Sequence, residues 1–386
     1  MSTVNVNVQP TIISWALSQT DEGKLGAKLL KNIKQWLEGT KTPTFKQIED
    51  FSRKANIPLG YFFLQTPTDE KIELLEYRTI DSVELAKPSR DLIDTINEME
   101  RVQDWMREYR QDTGFDVLPL VGSLKELTES KQIAERIRED LGLEIDWFSN
   151  CKSMTDSFDF IRGRLENNGV VVMLNGIVGK NNHRTLSVDE FRAFAMVDEW
   201  APLIFINSVD SQGAKIFSLF HEIAHIWIGV NDLYNDRRNS ASVKPLETLC
   251  NAVASELLVP VELFEDKWIN CDEQGEKERI RLLAKIFRCG EIVIARKALD
   301  ANRINKEMYD EIVIEVIEAY RITKENKETN GGNYYNTVKT RLDGNFVRAI
   351  CESIATGRTT FTEAYRLTNT SRKTFPEVTM RLGGVI

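Results

Sequence analysis

The chain has 386 residues, is 42% hydrophobic and 28% charged, and carries a net charge of −9; this is the composition of a soluble globular protein long enough for two or three domains with sizeable cores. Such acidity sets whole-protein electrostatics against nucleic acid, so any DNA contact must come from a locally basic face. No apolar run approaches the roughly 20 residues that span a bilayer, MSTVNVNVQP lacks the basic-then-apolar order of a secretory signal, and the cysteines (Cys151, Cys250, Cys271, Cys289, Cys351) are scattered without a CxxC pair, so the expectation is a cytoplasmic protein with no membrane contact and no disulfide framework.

From about residue 10 to 66 apolar residues recur at helical spacing through ISWALSQ, KLGAKLLKNIKQWL and TFKQIEDFSRKA, which predicts short helices. EGTKTPT and NIPLGYFFL break them, and Thr44 is a candidate N-cap for the helix beginning at Phe45. A long helix is predicted over about 88–112. GVVVMLNGIVG (169–179) and APLIFINS (201–208) have strand composition, β-branched and apolar between polar turns. AKIFSLFHEIAHIWIG follows as a helix apolar on most sides, and so buried. ETLCNAVASELLVP (247–260) is a second helix, ended by Pro260. Residues 271–299 read as two helices around a short turn. KENKETNGGNYYN (324–336) is a linker by composition, and about 337–386 is again helical.

The chain has three histidines, and two of them sit four residues apart in FSLFHEIAHIWIG, with a glutamate directly after the first. On a helix, residues i and i+4 share a face. His221 and His225 can therefore present both imidazoles to one ion, with Glu222 beside them. This is HExxH, the arrangement of a zinc peptidase in which the glutamate is general base. Its apolar flanks place these polar groups in a buried setting, where uncompensated burial is costly. A third ligand is needed, and no histidine remains downstream. The carboxylates on offer are Asp232, Asp236, Glu247 and Glu256. Spacing favours Glu247 over Glu256, and Asn251 lies one turn on from Glu247, placed to orient a ligand.

HEIAHIWIG followed by ETLCNAVASELLVP resembles the ImmA/IrrE family of metallo-endopeptidases, in which a buried HExxH helix precedes a helix of the form ExxANxFAxxLLxP. Glu247, Asn251, Ala254, Leu257, Leu258 and Pro260 match that form; Cys250 and Val253 stand in place of the usual Ala and Phe. The resemblance implies Zn2+ as cofactor, His221, His225 and Glu247 as its ligands, and Glu222 as catalytic base. The lead-in NNHRTLSVDEFRAFAMVDEWAPLIFINSVDSQGAKIFSLFHE is also similar, with Ala193 where a Gly is common. WLEGTKTPTFKQIEDFSRKANIPLGYFFL resembles the second half of the XRE-like helix-turn-helix domain that precedes this peptidase in many bacterial and phage proteins. LEYRT (75–79) resembles the connector that follows it, and GNFVRAICESIATGRTTFTEAYRLTN the family's C-terminal helical segment. Between Gln19 and Trp36 the chain is a few residues short for a complete helix-turn-helix. There Lys28, Lys31, Lys34 and Gln35 are the candidate nucleic-acid contacts, suited to phosphate more than to base edges; protein recognition or dimerisation is the alternative role.

His183, beside Arg184, and Tyr234 read as loop residues, with an oxyanion-stabilising role as the sharper alternative. Trp227 reads as core, and Arg192 as half of a structural ion pair. The expectation is an α+β, mostly helical chain: a helix-turn-helix-like domain (1–70), a helical connector (71–118), a zincin-like, gluzincin-type peptidase domain with a short β-sheet (119–323), a linker (324–336) and a helical C-terminal segment (337–386). The expected function is narrow proteolysis of a regulatory protein, such as a transcriptional repressor or an antitoxin-like partner. The alternative is a helix-turn-helix regulator or toxin–antitoxin component whose zinc site is structural or sensory.

Overall fold

The computed structural model of the chain describes residues 4–20, 22–67, 76–77, 88–229, 240–271, 275–325 and 334–384. The chain divides into two compact units, residues 1–72 with 85–95, and residues 73–84 with 96–386.

The first unit contains α1 (Pro10–Ser18), α2 (Ala27–Leu37) and α3 (Phe45–Ala55), with 3-10 turns at Glu22–Lys24 and Leu59–Phe63. The helix expected through KLGAKLL starts only at Ala27, because Gly26 takes φ +74°, a conformation open to glycine and costly for other residues. Thr44 caps α3 in a reciprocal pair. Its hydroxyl accepts from the Gln47 backbone at 3.3 Å, and the Gln47 side chain accepts from the Thr44 backbone at 2.9 Å. The apolar faces close over Ile12, Ile13, Leu29, Ile33, Trp36, Ile48, Phe51 and Phe62.

The second unit is built on a four-stranded sheet of β1 (Glu76–Tyr77), β2 (Val171–Asn175), β3 (Ala193–Met196) and β4 (Leu203–Asn207), in the order β1-β3-β4-β2. β2 runs parallel to β4; β3 is antiparallel to β4, with Ala195 opposite Ile204, and β1 is antiparallel to β3. All of β2, β3 and β4 is buried, which explains why β2 and β4, paired in parallel, read as continuous apolar runs. Alternate residues Val172, Leu174, Ala193, Ala195, Ile204 and Ile206 join the main core. Phe194 and Phe205, at the opposite parity, stack with ring centroids 5.1 Å apart.

The helices that follow are α4 (Arg90–Thr113), α5 (Ser130–Leu141), α6 (Met154–Asn167), α7 (Gln212–Ile228), α8 (Ser240–Leu258), α9 (Val261–Ile269), α10 (Glu276–Ile286), α11 (Glu291–Asp300), α12 (Lys306–Glu325), α13 (Tyr334–Arg341), α14 (Gly344–Ala355), α15 (Phe361–Leu367) and α16 (Phe375–Arg381). α7 packs against β3, β4, α6 and α8, and every residue from Ser218 to Ile228 is buried. α8 begins seven residues before Glu247 and carries Pro245 within it. The linker expected over 324–336 is bounded by α12, which reaches Glu325, and α13, which starts at Tyr334; residues 326–333 lie outside the described residues. Among the described residues no helix is long and apolar enough to cross a membrane.

Candidate metal centre

The helix that carries HExxH is fixed at both ends. Ser211 caps its start, accepting from the Ala214 backbone at 3.2 Å. At its end Gly229 adopts φ +69° and donates to the His225 carbonyl at 2.9 Å. Two further carbonyls of the last turn are met by the segment after α4: the Gly122 N–H reaches Ile226 O at 3.0 Å and the Leu124 N–H reaches Trp227 O at 2.9 Å. The Trp227 indole, fully buried, donates to Asp140 at 2.7 Å. The last turn of α7 is thereby tied to residues 122–124 and to Asp140.

α7 and α8 together converge three side chains. His221 Nε2 and His225 Nε2 lie 3.0 Å apart. Glu247 on α8 places Oε2 3.3 Å from His221 Nε2 and Oε1 3.5 Å from His225 Nε2. Among the described residues these three form a group able to hold a metal ion. Burial alone would push the Glu247 carboxyl up, but the hydrogen bonds and charge of His221 and His225 hold it well below the usual carboxylate range. The far side of each ring is engaged as well. His221 Nδ1 lies 3.1 Å from Asn251 Oδ1, and His225 Nδ1 lies 3.7 Å from Cys250 Sγ. With Nδ1–H donated to the Asn251 carbonyl, His221 directs Nε2 into the cluster, where it donates to Glu247 while the ring is protonated and offers a lone pair once that proton leaves.

Two imidazoles and one carboxylate are a donor set of the kind that holds zinc. Ligands at about 2.0–2.2 Å in a tetrahedron stand roughly 3.3–3.6 Å from one another. Here the two nitrogens stand 3.0 Å apart, somewhat closer than that, and Glu247 offers one oxygen to each, at 3.3 and 3.5 Å. Two imidazole nitrogens and one carboxylate leave a fourth position open, as a catalytic site requires. Glu222 is buried next to His221 on α7.

The other carboxylates and candidate residues fall elsewhere. Glu256 pairs with Lys297 at 2.8 Å and accepts the Val261 N–H. Asp232, Asp236 and Tyr234 lie outside the described residues. His183 is exposed on the loop between β2 and β3, with its backbone N–H donated to Asn181 Oδ1 at 3.0 Å, and it does not belong to the three-residue group. Arg192 forms an ion pair with Asp210 at 2.6 Å. Lys28, Lys31 and Lys34 are exposed along α2, and Gln35 is half-buried. Cys250 drew no attention from the sequence beyond its departure from the family pattern. The available signal was its place at i+3 from Glu247, on the same helical face.

Comparison with known proteins bears on the second unit. Residues 166–299 match the M78 peptidase family, described as an IrrE N-terminal-like domain. That span holds β2 to α11 and all three members of the cluster, and it supports a peptidase of ImmA/IrrE type there. Residues 342–381 match a domain of unknown function, DUF8813. Among curated proteins the chain is similar to Tektin-B1 of Strongylocentrotus purpuratus, 24% identical over 186 residues, which are 48% of this chain and 39% of that protein. The chain thus spans about two fifths of the length of that relative.

Proposed function

We propose that the second unit is a zinc-dependent endopeptidase of narrow specificity, acting in the cytoplasm on a regulatory protein such as a transcriptional repressor, and so controlling gene expression in a stress response or a mobile element. The convergence of His221, His225 and Glu247 on one point, with Glu222 beside the first histidine, carries the reading. Those three residues would hold zinc, which would supply Lewis acidity toward the scissile carbonyl and toward water. Glu222 takes a proton from the attacking water onto its carboxylate, then delivers it to the leaving amine as the C–N bond breaks. Asn251 keeps His221 in one tautomer and one orientation. The buried walls of α7 keep bulk water from competing for these polar groups.

The experiment is a comparison of new protein N-termini in cells carrying the wild-type chain and cells carrying Glu222→Gln. The variant is expected to retain zinc and to lose cleavage by about 10²–10⁴-fold. A terminus that appears only with the wild type names the substrate. Equal cleavage by the variant removes Glu222 as base.

A second reading concerns the first unit. The exposed row Lys28, Lys31 and Lys34 on α2 favours a helix-turn-helix-like module that contacts DNA phosphates, with the zinc site structural or sensory. Purified protein should then retard DNA at low salt and release it steeply as salt rises. No retardation at low salt leaves this unit a protein-recognition or dimerisation module.

A further inference from the structure

One turn of α8 serves both histidines. Glu247, Cys250 and Asn251 stand at i, i+3 and i+4 and so share a helical face. The first meets both rings at Nε2; the other two meet the rings at Nδ1, Asn251 on His221 at 3.1 Å and Cys250 on His225 at 3.7 Å. We propose that Cys250 is a positioning residue for the metal centre: its Sγ accepts the Nδ1–H of His225 and so holds the ring with Nε2 facing the point between His221 and Glu247, free to act as a ligand once deprotonated. The inference rests on the metal-centre reading above and extends it to a residue at which this chain departs from the family pattern.

The argument runs from the ring outward. For His225 to act as a ligand through Nε2, its remaining proton must sit on Nδ1, and a ligand histidine commonly gives that proton to an oriented acceptor. The sulfur of Cys250 stands 3.7 Å from Nδ1. Cys250 is fully buried, so solvent does not compete for the bond. A thiol sulfur is a weak acceptor and an amide oxygen a strong one. The two histidines are therefore held unequally, His221 firmly by an amide and His225 more loosely by sulfur. Loss of an outer partner of a metal ligand commonly costs 10–100-fold in metal affinity. Cys250 belongs at the lower end of that range and Asn251 at the upper.

The test measures zinc affinity of the full chain by competition with a chromophoric chelator, together with the visible spectrum of the cobalt-loaded protein and the melting of the metal-free protein. Four variants are compared: Glu247→Ala, Cys250→Ala, Cys250→Val and Cys250→Ser. Valine keeps the bulk and loses the acceptor; serine keeps an acceptor. Glu247→Ala should lose stoichiometric zinc. Cys250→Ala and Cys250→Val should each bind zinc about 10-fold more weakly and shift the cobalt bands, while Cys250→Ser stays close to wild type. Should alanine prove too unstable to assay, the valine–serine pair decides. Zinc affinity and cobalt bands unchanged in Cys250→Val, with Glu247→Ala still defective, would make Cys250 a packing residue only and leave the metal centre standing. Equal losses in serine and valine would also overturn the acceptor role. Failure of the wild type to bind zinc, or normal binding by Glu247→Ala, would remove the metal centre and this inference together.

Discussion

Glu247 is a carboxylate that burial pushes toward its neutral form and that two imidazoles keep ionised. Glu247→Gln retains the shape and removes the charge, leaving a neutral amide in place of the carboxylate. We expect it to lose stoichiometric zinc at micromolar protein, read by metal analysis after gel filtration; full zinc content would exclude Glu247 from the ligand set. Asn251 acts one step further out. Asn251→Ala removes the acceptor of His221 Nδ1–H and should weaken zinc binding by about 10–100-fold without abolishing it, measured by the same chelator competition. An unchanged affinity would make Asn251 a packing residue. These residues were legible in the sequence to different degrees for a physical reason. His221, Glu222 and His225 belong to one helix, whose 3.6-residue period is readable directly. Glu247 needed a second helix and a choice among carboxylates, which spacing narrowed and the family resemblance completed. The pairing of Cys250 with His225 depends on how α7 and α8 cross, and no periodicity encodes a crossing.

The end of α7 shows what a close approach of two segments requires at the level of an element. Gly229 leaves the helix at φ +69°, and a Cβ there would stand 2.3 Å from the Gly122 Cα. Both the left-handed backbone and the contact exclude a side chain. Gly122 and Leu124 then use that proximity to satisfy the Ile226 and Trp227 carbonyls. Gly229→Ala should therefore destabilise the second unit by at least about 1–3 kcal/mol, measured by urea unfolding; a loss below about 0.5 kcal/mol would show that the turn relaxes freely. The apolar run of α7 and the Gly after it were readable as a buried helix with a stop. Two strands were not. β3 is four residues long, AFAM, with two alanines, and its strand character comes from pairing with β4. β1 is two residues, Glu76–Tyr77, defined by its register on β3. Elements this short carry no period of their own.

Across the second unit, the C-terminal helices resolve a problem the sheet creates. β2 is an outer strand, and an open strand edge offers unpaired backbone groups. Asp343, at the start of the segment that matches the domain of unknown function, accepts the Val172 N–H at 2.9 Å and also caps α14 through the Phe346 N–H at 2.8 Å. Arg162 on α6 donates to the Val172 carbonyl at 2.9 Å and to the Thr340 carbonyl at 2.8 Å, bonds Leu342 O as well, and pairs with Glu166 at 2.8 Å. Two carboxyls and one guanidinium thus share a buried joint between residues that lie far apart in sequence, which is why the tail was legible as helical while its docking was not. Burial, then the charge of Asp343, pushes the Glu166 carboxyl up to about 7 against the pull of Arg162, and burial pushes Asp343 up too. An acid raised in the folded state holds its proton longer there than in the unfolded chain. Its contribution to stability is full below its ordinary value of 4.5 and is lost as pH rises through about 7. The stability of the second unit should consequently fall between pH 5 and 8 by an amount that Glu166→Gln removes, about 3 kcal/mol at most. Urea unfolding of both proteins across that window checks it, the difference reporting Glu166 together with the Asp343 carboxyl coupled to it. Parallel curves would mean that Glu166 ionises in the folded joint as readily as in the unfolded chain, and that Arg162 alone compensates both carboxyls.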